Sequence, residues 1–251
     1  MNVNAQPVLG DVEIASVGAL LADPARCRIL MALHDGRALP ASVLADEAGV
    51  SRSTASGHLG RLTAEGMLSV ESHGRHRYFR LSGPKVGELL ERIMELAPAR
   101  PVRSLREGTR AAQLRAARTC YDHLAGRLGV ELMAGLLAAG HLEGGDGRYA
   151  SGDGPRGYGR GVDYAVSRSG WEFLDGVGVR VPDGDRPLVR YCVDWSEQRH
   201  HLAGRLGRGL LDRFLDASWV RRREVGRGVR VTPDGRAALA ELFGIDWEAA
   251  A

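Results

Sequence analysis

The stretch Pro40–Val70, PASVLADEAGVSRSTASGHLGRLTAEGMLSV, decides the fold of the first third of this chain. Pro40 opens a helix in which Val43, Leu44 and Ala48 face inward, Gly49-Val50 makes a tight turn, and Ser51 caps a second helix running to about Glu65. In that second helix Ala55, Leu59 and Leu62 recur at helical spacing and predict the buried stripe. Arg52, Ser53, Thr54, Ser56, His58 and Arg61 are left for its outer face and N-terminal end. Short polar side chains and arginine are the types that bond base edges and phosphates when a helix enters the major groove. The pattern predicts a helix-turn-helix with a reading helix in second place.

Upstream, apolar residues recur at helical spacing from Val12 to Leu21, and Asp23-Pro24 ends that helix and opens the next through RCRILMAL, with Asp23 as N-cap. Cys27 is expected to serve packing there. Downstream, MLSVES, HGRH and RYFRL predict two alternating strands around a basic tip, a wing whose Arg75, His76 and Arg77 would reach phosphates or the adjacent minor groove. The charge agrees: residues 51–80 hold five Arg against two Glu, although the whole chain carries only +3.

The segments DPARCRILMAL, LADEAGVSRSTASGHLGRLTAEGML and SHGRHRYFRL together resemble the ArsR/SmtB family of winged-helix bacterial repressors, over about residues 12–97. The resemblance implies a homodimer formed through the first helix and the helix after the wing, about Lys85–Ala97, reading a palindromic operator of double-stranded DNA and switched by an effector. It does not carry over the family's metal sites. SVLADEAGV lacks the Cys-x-Cys pair of arsenic and soft-metal sensors, and VGELLERIMEL lacks the histidines of zinc sensors. A switch is therefore expected in the residues that follow.

Those residues contain a repeat. HLAGRLG occurs at His123–Gly129 and again at His201–Gly207, each time shortly after a Cys-x-Asp triplet at Cys120 and Cys192. Leu132, Met133, Leu136 and Leu137 align with Leu210, Leu211, Phe214 and Leu215, and YAVSRSGWEFL resembles VRVTPDGRAAL. The offset changes by the length of SGDGPRGYGRGVD, Ser151–Asp163, which reads as an insertion in the first copy. Each copy is expected to be a helix, a strand, a loop, a strand and a short final helix, too apolar on its main helix to read DNA.

The expected fold class is mainly α with small β wings (α+β): an N-terminal winged helix-turn-helix followed by a tandem winged-helix-like repeat. The expected domains are a DNA-binding and dimerisation domain at 1–98, a basic helical connector at 99–118, and a sensor region at 119–251 made of two similar α/β units at about 119–180 and 191–247.

Within the sensor region, Cys120 and His123 at spacing i, i+3 are expected on one helical face. Three readings of the region stand beside plain packing, in which the cysteines are buried and Asp122 and Asp194 cap helices. A small-molecule pocket would use Tyr121, His123, Trp195, His200 and His201. A thiol switch answering a thiol-reactive effector would use Cys120 or Cys192, activated by Arg118, Arg190 or a helix N-terminus. A metal site would use Cys120, His123, Cys192 and His200 or His201. No cofactor is required by the sequence, and a small-molecule effector is preferred to a metal.

At 251 residues and 44% hydrophobic content, the composition is that of a globular protein, and no apolar run approaches the roughly 18–20 residues of a bilayer span. The N-terminus lacks a basic flank and apolar core, so a cytoplasmic protein without membrane contact is expected. No nucleophile elbow, phosphate loop or HExxH occurs, so an enzyme is not expected. The functional expectation is a dimeric, sequence-specific transcriptional repressor released from its operator by an effector sensed in the C-terminal region. The alternative is a protein-interaction scaffold of tandem winged-helix units with no operator.

Overall fold

The computed structural model describes residues 13–73, 76–97, 105–148, 163–224 and 226–248. It forms two compact units, one from Met1–Met31 and Ala38–Ser82, the other from Ala32–Arg37 and Gly83–Ala251. Arg75 at the wing tip, the first residues of the connector and nearly all of the Ser151–Asp163 insertion lie outside the described residues.

The first unit runs α1 (Ile14–Leu21), α2 (Pro24–Ala32), β1 (Leu39–Pro40), α3 (Ala41–Ala48), α4 (Arg52–Ala64), β2 (Leu68–His73) and β3 (His76–Leu81). Asp23 Oδ1 accepts hydrogen bonds from Ala25 N and Arg26 N at 2.8 and 3.0 Å, which satisfies the first turn of α2. Gly49 closes α3 with a φ of 67°, a left-handed conformation that glycine adopts without a Cβ penalty. Ser51 then caps α4, its Oγ accepting from Thr54 N. The three strands form an antiparallel sheet in the order β1-β3-β2, with Leu39 opposite Phe79 and Leu68 opposite Leu81.

Two local expectations need correction. Pro40 is the N-cap of α3 rather than its first residue, because its carbonyl-side geometry is extended and it pairs with Tyr78 in β1. Val43 is exposed at 37%, while Ala45 takes the inward position beside Leu44 and Ala48. A two-turn helix has no room for a wide stripe, and the inward positions here fall to Leu44, Ala45 and Ala48.

The second unit opens with α5 (Pro84–Leu96) and α6 (Leu105–Ala116), then passes twice through one element order. The first pass is β4 (Arg118–Cys120), β5 (His123–Ala125), α7 (Gly126–Ala138), β6 (Leu142–Glu143), β7 (Ala165–Val166) and α8 (Arg168–Val177). The second is β8 (Arg190–Val193), β9 (His200–Ala203), α9 (Gly204–Asp216), β10 (Val220–Arg222), β11 (Val229–Val231) and α10 (Pro233–Phe243). Each pass therefore starts with a β-hairpin that the helix-first expectation missed, because strands of three or four residues are too short to show a period. HLAGRLG is a strand-to-helix junction: HLA ends the hairpin and Gly126 or Gly204, with φ of 74° and 77°, begins the helix.

Both passes pack across each other. α7 lies against β9 and α9 against β5, and the crossing is tight. A Cβ on Gly129 would stand 2.4 Å from Leu124 O and 3.4 Å from His201 Cβ; one on Gly207 would stand 2.6 Å from Leu202 O and 3.1 Å from His123 Cβ. Leu132, Met133 and Leu136 of α7 meet Leu210, Leu211 and Phe214 of α9 in one core, which continues through Val220, Val231, Leu239 and Phe243. The final helices repeat as well. Ser167 and Thr232 cap α8 and α10 by accepting from Gly170 N and Gly235 N. Among the described residues no helix is long and apolar enough to cross a membrane.

Candidate functional site

In the first unit, α4 buries Ala55, Leu59 and Leu62 almost completely, as their spacing requires. Arg52, Ser53, Thr54, Ser56 and Arg61 are exposed and His58 is half-buried. Ser51 Oγ lies 2.9 Å from both Ser53 Oγ and Thr54 Oγ1, so the helix begins with a cluster of hydroxyls. Gly57 and Gly60 share this outer face, and a Cβ on either would meet nothing within 4 Å. Arg77 is exposed on β3 with its guanidinium 5.7 Å from the Phe79 ring centroid, and His76 is placed in β3 opposite His73.

The second unit gathers the repeated residues. Cys120 and His123 do not share a helical face: they are directly opposite across the β4–β5 hairpin, joined by a two-residue turn in which Tyr121 has a φ of 55°. Cys192 and His201 are opposite in the same way across β8–β9. Side chains on paired positions of a hairpin leave the same side. Each hairpin thus presents one Cys and one His together, and the two hairpins face one another. His123 Nε2 stands 3.2 Å from His201 Nε2, with ring centroids 5.1 Å apart. One ligand atom from each of Cys120, His123, Cys192 and His201 can be chosen so that all lie within 4.8 Å of one another, and all four residues are buried.

Strand alternation also decides between the two adjacent histidines. His200 pairs with Val193 on the opposite side of its hairpin, where its ring stacks on Tyr191 at 4.0 Å and Nδ1 lies 2.8 Å from the Tyr164 hydroxyl. Trp195 lies under the Arg118 guanidinium at 4.5 Å, and Tyr121 packs on α5 at Gly87, whose added Cβ would come within 2.7 Å of the ring. Tyr121, Trp195 and His200 therefore do not join the four ligand atoms.

Carboxylates surround the cluster. Asp122 Oδ1 is 3.3 Å from His123 Nδ1, and Asp194 Oδ2 is 3.4 Å from His201 Nδ1, so each Cys-x-Asp triplet contributes a carboxylate to the histidine of its own hairpin. Neither aspartate is a simple cap of its own helix. Asp122 is bound by Arg186 from the stretch before β8. Asp194 accepts from Arg118 at 2.8 Å and from Gly126 N, the first residue of α7, at 2.7 Å. Burial pushes the Asp194 carboxyl up, but His201, Arg118 and Ser196 outweigh it and hold the group well below the usual carboxylate range.

The connector expectation fails at Arg118, which starts β4, is fully buried and pairs with Asp194. A residue expected at the end of a basic helical connector is instead one side of a buried ion pair between the two passes. Of the two arginines expected beside the thiols, Arg118 is paired with Asp194 and Arg190 lies 3.5 Å from Glu88. Burial, with Glu91 beside it, drives the Cys120 thiol well above its ordinary value. For Cys192 the hydrogen bond from Cys120 lowers the value, but burial and Glu91 prevail and raise it to about 11. Both thiols are buried and held above their ordinary value, the opposite of the lowering that the thiol-switch expectation asks for.

Glu91 is the residue that sequence reasoning missed. It sits on α5, only 7% exposed, and accepts from Cys120 Sγ at 2.7 Å and from Cys192 Sγ at 3.5 Å. His34 Nε2 is 3.8 Å from the same carboxylate and 3.2 Å from Gly87 O. Burial raises the Glu91 carboxyl, yet His123, His34 and the Cys120 hydrogen bond lower it overall, so it is ionised. The available signal was a glutamate on the apolar stripe Gly87, Leu90, Glu91, Met94, where a charge needs a partner.

The chain is similar to known proteins. Residues 21–71 match the family described as helix-turn-helix domain. The chain is 38% identical over 235 residues to the uncharacterized HTH-type transcriptional regulator YdfF of Bacillus subtilis, covering 92% of this chain and 97% of that one. It is 36% identical over 86 residues to the HTH-type transcriptional regulator CmtR of Mycobacterium tuberculosis, covering 34% of this chain and 72% of that one. Among solved structures, the homodimeric winged helix-turn-helix domain of Mb0332 from Mycobacterium bovis aligns at 25% identity and a TM-score of 0.31, covering 36% of this chain and 89% of that one. With nine-tenths of both chains aligned to YdfF and the winged helix in place, this protein belongs to the HTH-type transcriptional regulators of ArsR/SmtB type.

Proposed function

We propose that the protein is a dimeric repressor that binds a palindromic operator through α4 and the wing and is released by an effector held in the second unit. The observation that carries this reading is α4 itself: a helix whose apolar stripe is fully buried and whose outer face is hydroxyls, glycines and arginines. Phosphate contacts from such a face position the helix, and base-edge contacts give sequence preference. Dimerisation is supported by apolar side chains left in solvent on the two helices that the resemblance assigns to it, Ile14 (75% exposed) on α1 and Leu96 (86%) on α5.

The repeated helix, hairpin and helix of each pass support a tandem winged-helix-like sensor, its main helices turned inward as core rather than outward to DNA. No catalytic role is assigned to it. An effector that binds the DNA-incompetent arrangement more tightly shifts the population away from the operator-bound form.

The test is an anisotropy titration of a duplex from the regulator's own upstream region at two salt concentrations. Tight binding is expected, weaker in Arg52→Ala and Arg61→Ala, with the salt slope reduced by about 1 for each phosphate contact removed. Equal affinity for a random duplex, unchanged by either substitution, would refute the reading.

A further inference from the structure

We propose that Cys120, His123, Cys192 and His201 form a tetrahedral site for a zinc-class divalent cation, and that this cation is the effector. The inference rests on the regulator reading for the word effector, and on geometry alone for the site. The four residues are not the positions at which the ArsR/SmtB resemblance places metal ligands, and both of those patterns are missing from this sequence.

The geometry fits in four respects. Two thiols and two imidazoles are the donor set that selects zinc and its chemical relatives in tetrahedral coordination. Bonds of about 2.0–2.1 Å to nitrogen and about 2.3 Å to sulfur set ligand atoms roughly 3.3–3.8 Å apart in a tetrahedron. The two Nε2 atoms already stand 3.2 Å apart, and all four ligand atoms lie within 4.8 Å, so only small side-chain movements are needed. His123 Nδ1 is hydrogen-bonded to Asp122 Oδ1, the outer-shell arrangement that orients a metal-binding imidazole and raises its basicity, and His201 Nδ1 lies 3.4 Å from Asp194 Oδ2, close enough to form the same contact. The symmetry supplies the fourth respect. Every part of the site is present once per pass, so a cation there would cross-link the two hairpins.

This order of preference reverses the one drawn from sequence. A small-molecule pocket needed Tyr121, Trp195 and His200 with the other histidines, and these side chains are directed elsewhere. The four that do converge are all metal ligands.

Glu91 gives the site a way to signal. With thiols present, both sulfurs donate hydrogen bonds to this one carboxylate of α5. When the cation binds, each sulfur gives up its proton to solvent and forms a metal bond, and both donors to Glu91 are lost. The dication balances the two thiolates, so what changes for Glu91 is the loss of its two thiol donors, and the buried carboxylate must re-form its contacts. Gly87, one turn earlier on α5, stands against the Tyr121 ring of the β4–β5 hairpin turn, so a shift of Glu91 is felt along this helix. α5 follows the wing strand β3 after only Ser82 and Gly83. Metal binding and the state of α5 are thereby coupled.

The full-length reduced protein, stripped with a chelator, is titrated with cobalt(II) and then zinc(II), with and without operator duplex. One equivalent of cobalt should produce the visible bands of a tetrahedral site and a thiolate charge-transfer band, both erased by zinc. At the same equivalence operator affinity should fall by roughly tenfold or more. Cys192→Ser and His201→Gln should lose on the order of 100-fold in metal affinity, and Cys27→Ser should not. Glu91→Gln should bind cobalt with the wild-type spectrum and remain on DNA. If the serine variant lacks a thermal transition, His201→Gln decides alone.

An octahedral cobalt spectrum, or a tetrahedral one that survives in the variants, would overturn the site. A tetrahedral spectrum in a protein whose metal-loaded and stripped forms hold the operator equally would overturn the effector role. A protein that binds no duplex in either form would refute the regulator reading instead, and the cobalt spectrum would still decide the site.

Discussion

Arg118 and Asp194 form an ion pair with both side chains fully buried. Such a pair is weak evidence of net stability while intact, but removing one member strands the other charge. Asp194→Asn should therefore cost about 3–5 kcal/mol in urea unfolding, and the double variant Arg118→Met with Asp194→Leu should lose markedly less. A double variant as unstable as the single one would contradict this account. His34 offers a pH test. Burial first, then the Arg227 guanidinium, lowers its imidazole from 6.5 to about 4, against the smaller opposing pull of Glu91 and Gly87 O. Between those values the unfolded chain takes up a proton that the folded chain refuses. Stability from this residue is thus complete above pH 6.5 and declines as pH falls toward 4, by on the order of 3 kcal/mol at most. His34→Gln should flatten unfolding free energy across that window, and an unchanged slope would show that other groups set it.

At the scale of elements, α4 carries a conflict. Gly57 and Gly60 weaken a helix that has open space at both positions, so Gly57→Ala should raise stability by about 0.5–1 kcal/mol. The same methyl lies on the proposed DNA face, and operator affinity should fall although the protein melts higher. A variant that is both more stable and equally tight on DNA would remove Gly57 from the interface. The packing of α7 on β9 and of α9 on β5 shows the opposite use of glycine. Gly207→Ala places a methyl 2.6 Å from Leu202 O and 3.1 Å from His123 Cβ, and should destabilise by roughly 1–3 kcal/mol through overpacking. If the histidine pair shares the metal site, the substitution should weaken cobalt binding as well.

For the whole molecule, the prediction concerns assembly. Leu96 is the most exposed large apolar side chain among the described residues, at 86%. Sedimentation should find wild-type protein dimeric, and Leu96→Glu should raise the dimer dissociation constant at least about tenfold, since a charge on a closed apolar contact costs more than about 1.4 kcal/mol. Dimers of equal strength in the variant would place the interface elsewhere. The same scale explains why the chain was only partly legible. The helix-turn-helix could be read because its signals are local: a cap at Ser51, a left-handed glycine at Gly49 and a stripe at Ala55, Leu59 and Leu62 all act within one or two turns. The repeat was visible too, because HLAGRLG is conserved between the two passes to the letter.

What those letters do was not local. The short hairpins β4–β5 and β8–β9 have no period of their own, so Cys120 and His123 read as helix neighbours until strand pairing set them opposite each other. Arg118 read as the end of a basic connector until Asp194, from the other pass, was brought to it. Glu91 lies outside the repeat and became part of the cluster only through the packing of α5. Sequence by itself determined the reading head, its winged-helix class and the existence of a duplicated unit, because backbone propensity and side-chain periodicity carry that information over a few residues. Only the tertiary structure decided which residues meet at the centre of the duplication, because burial joins side chains up to 110 positions apart, from Glu91 to His201, and nothing along the chain records which face each will turn inward.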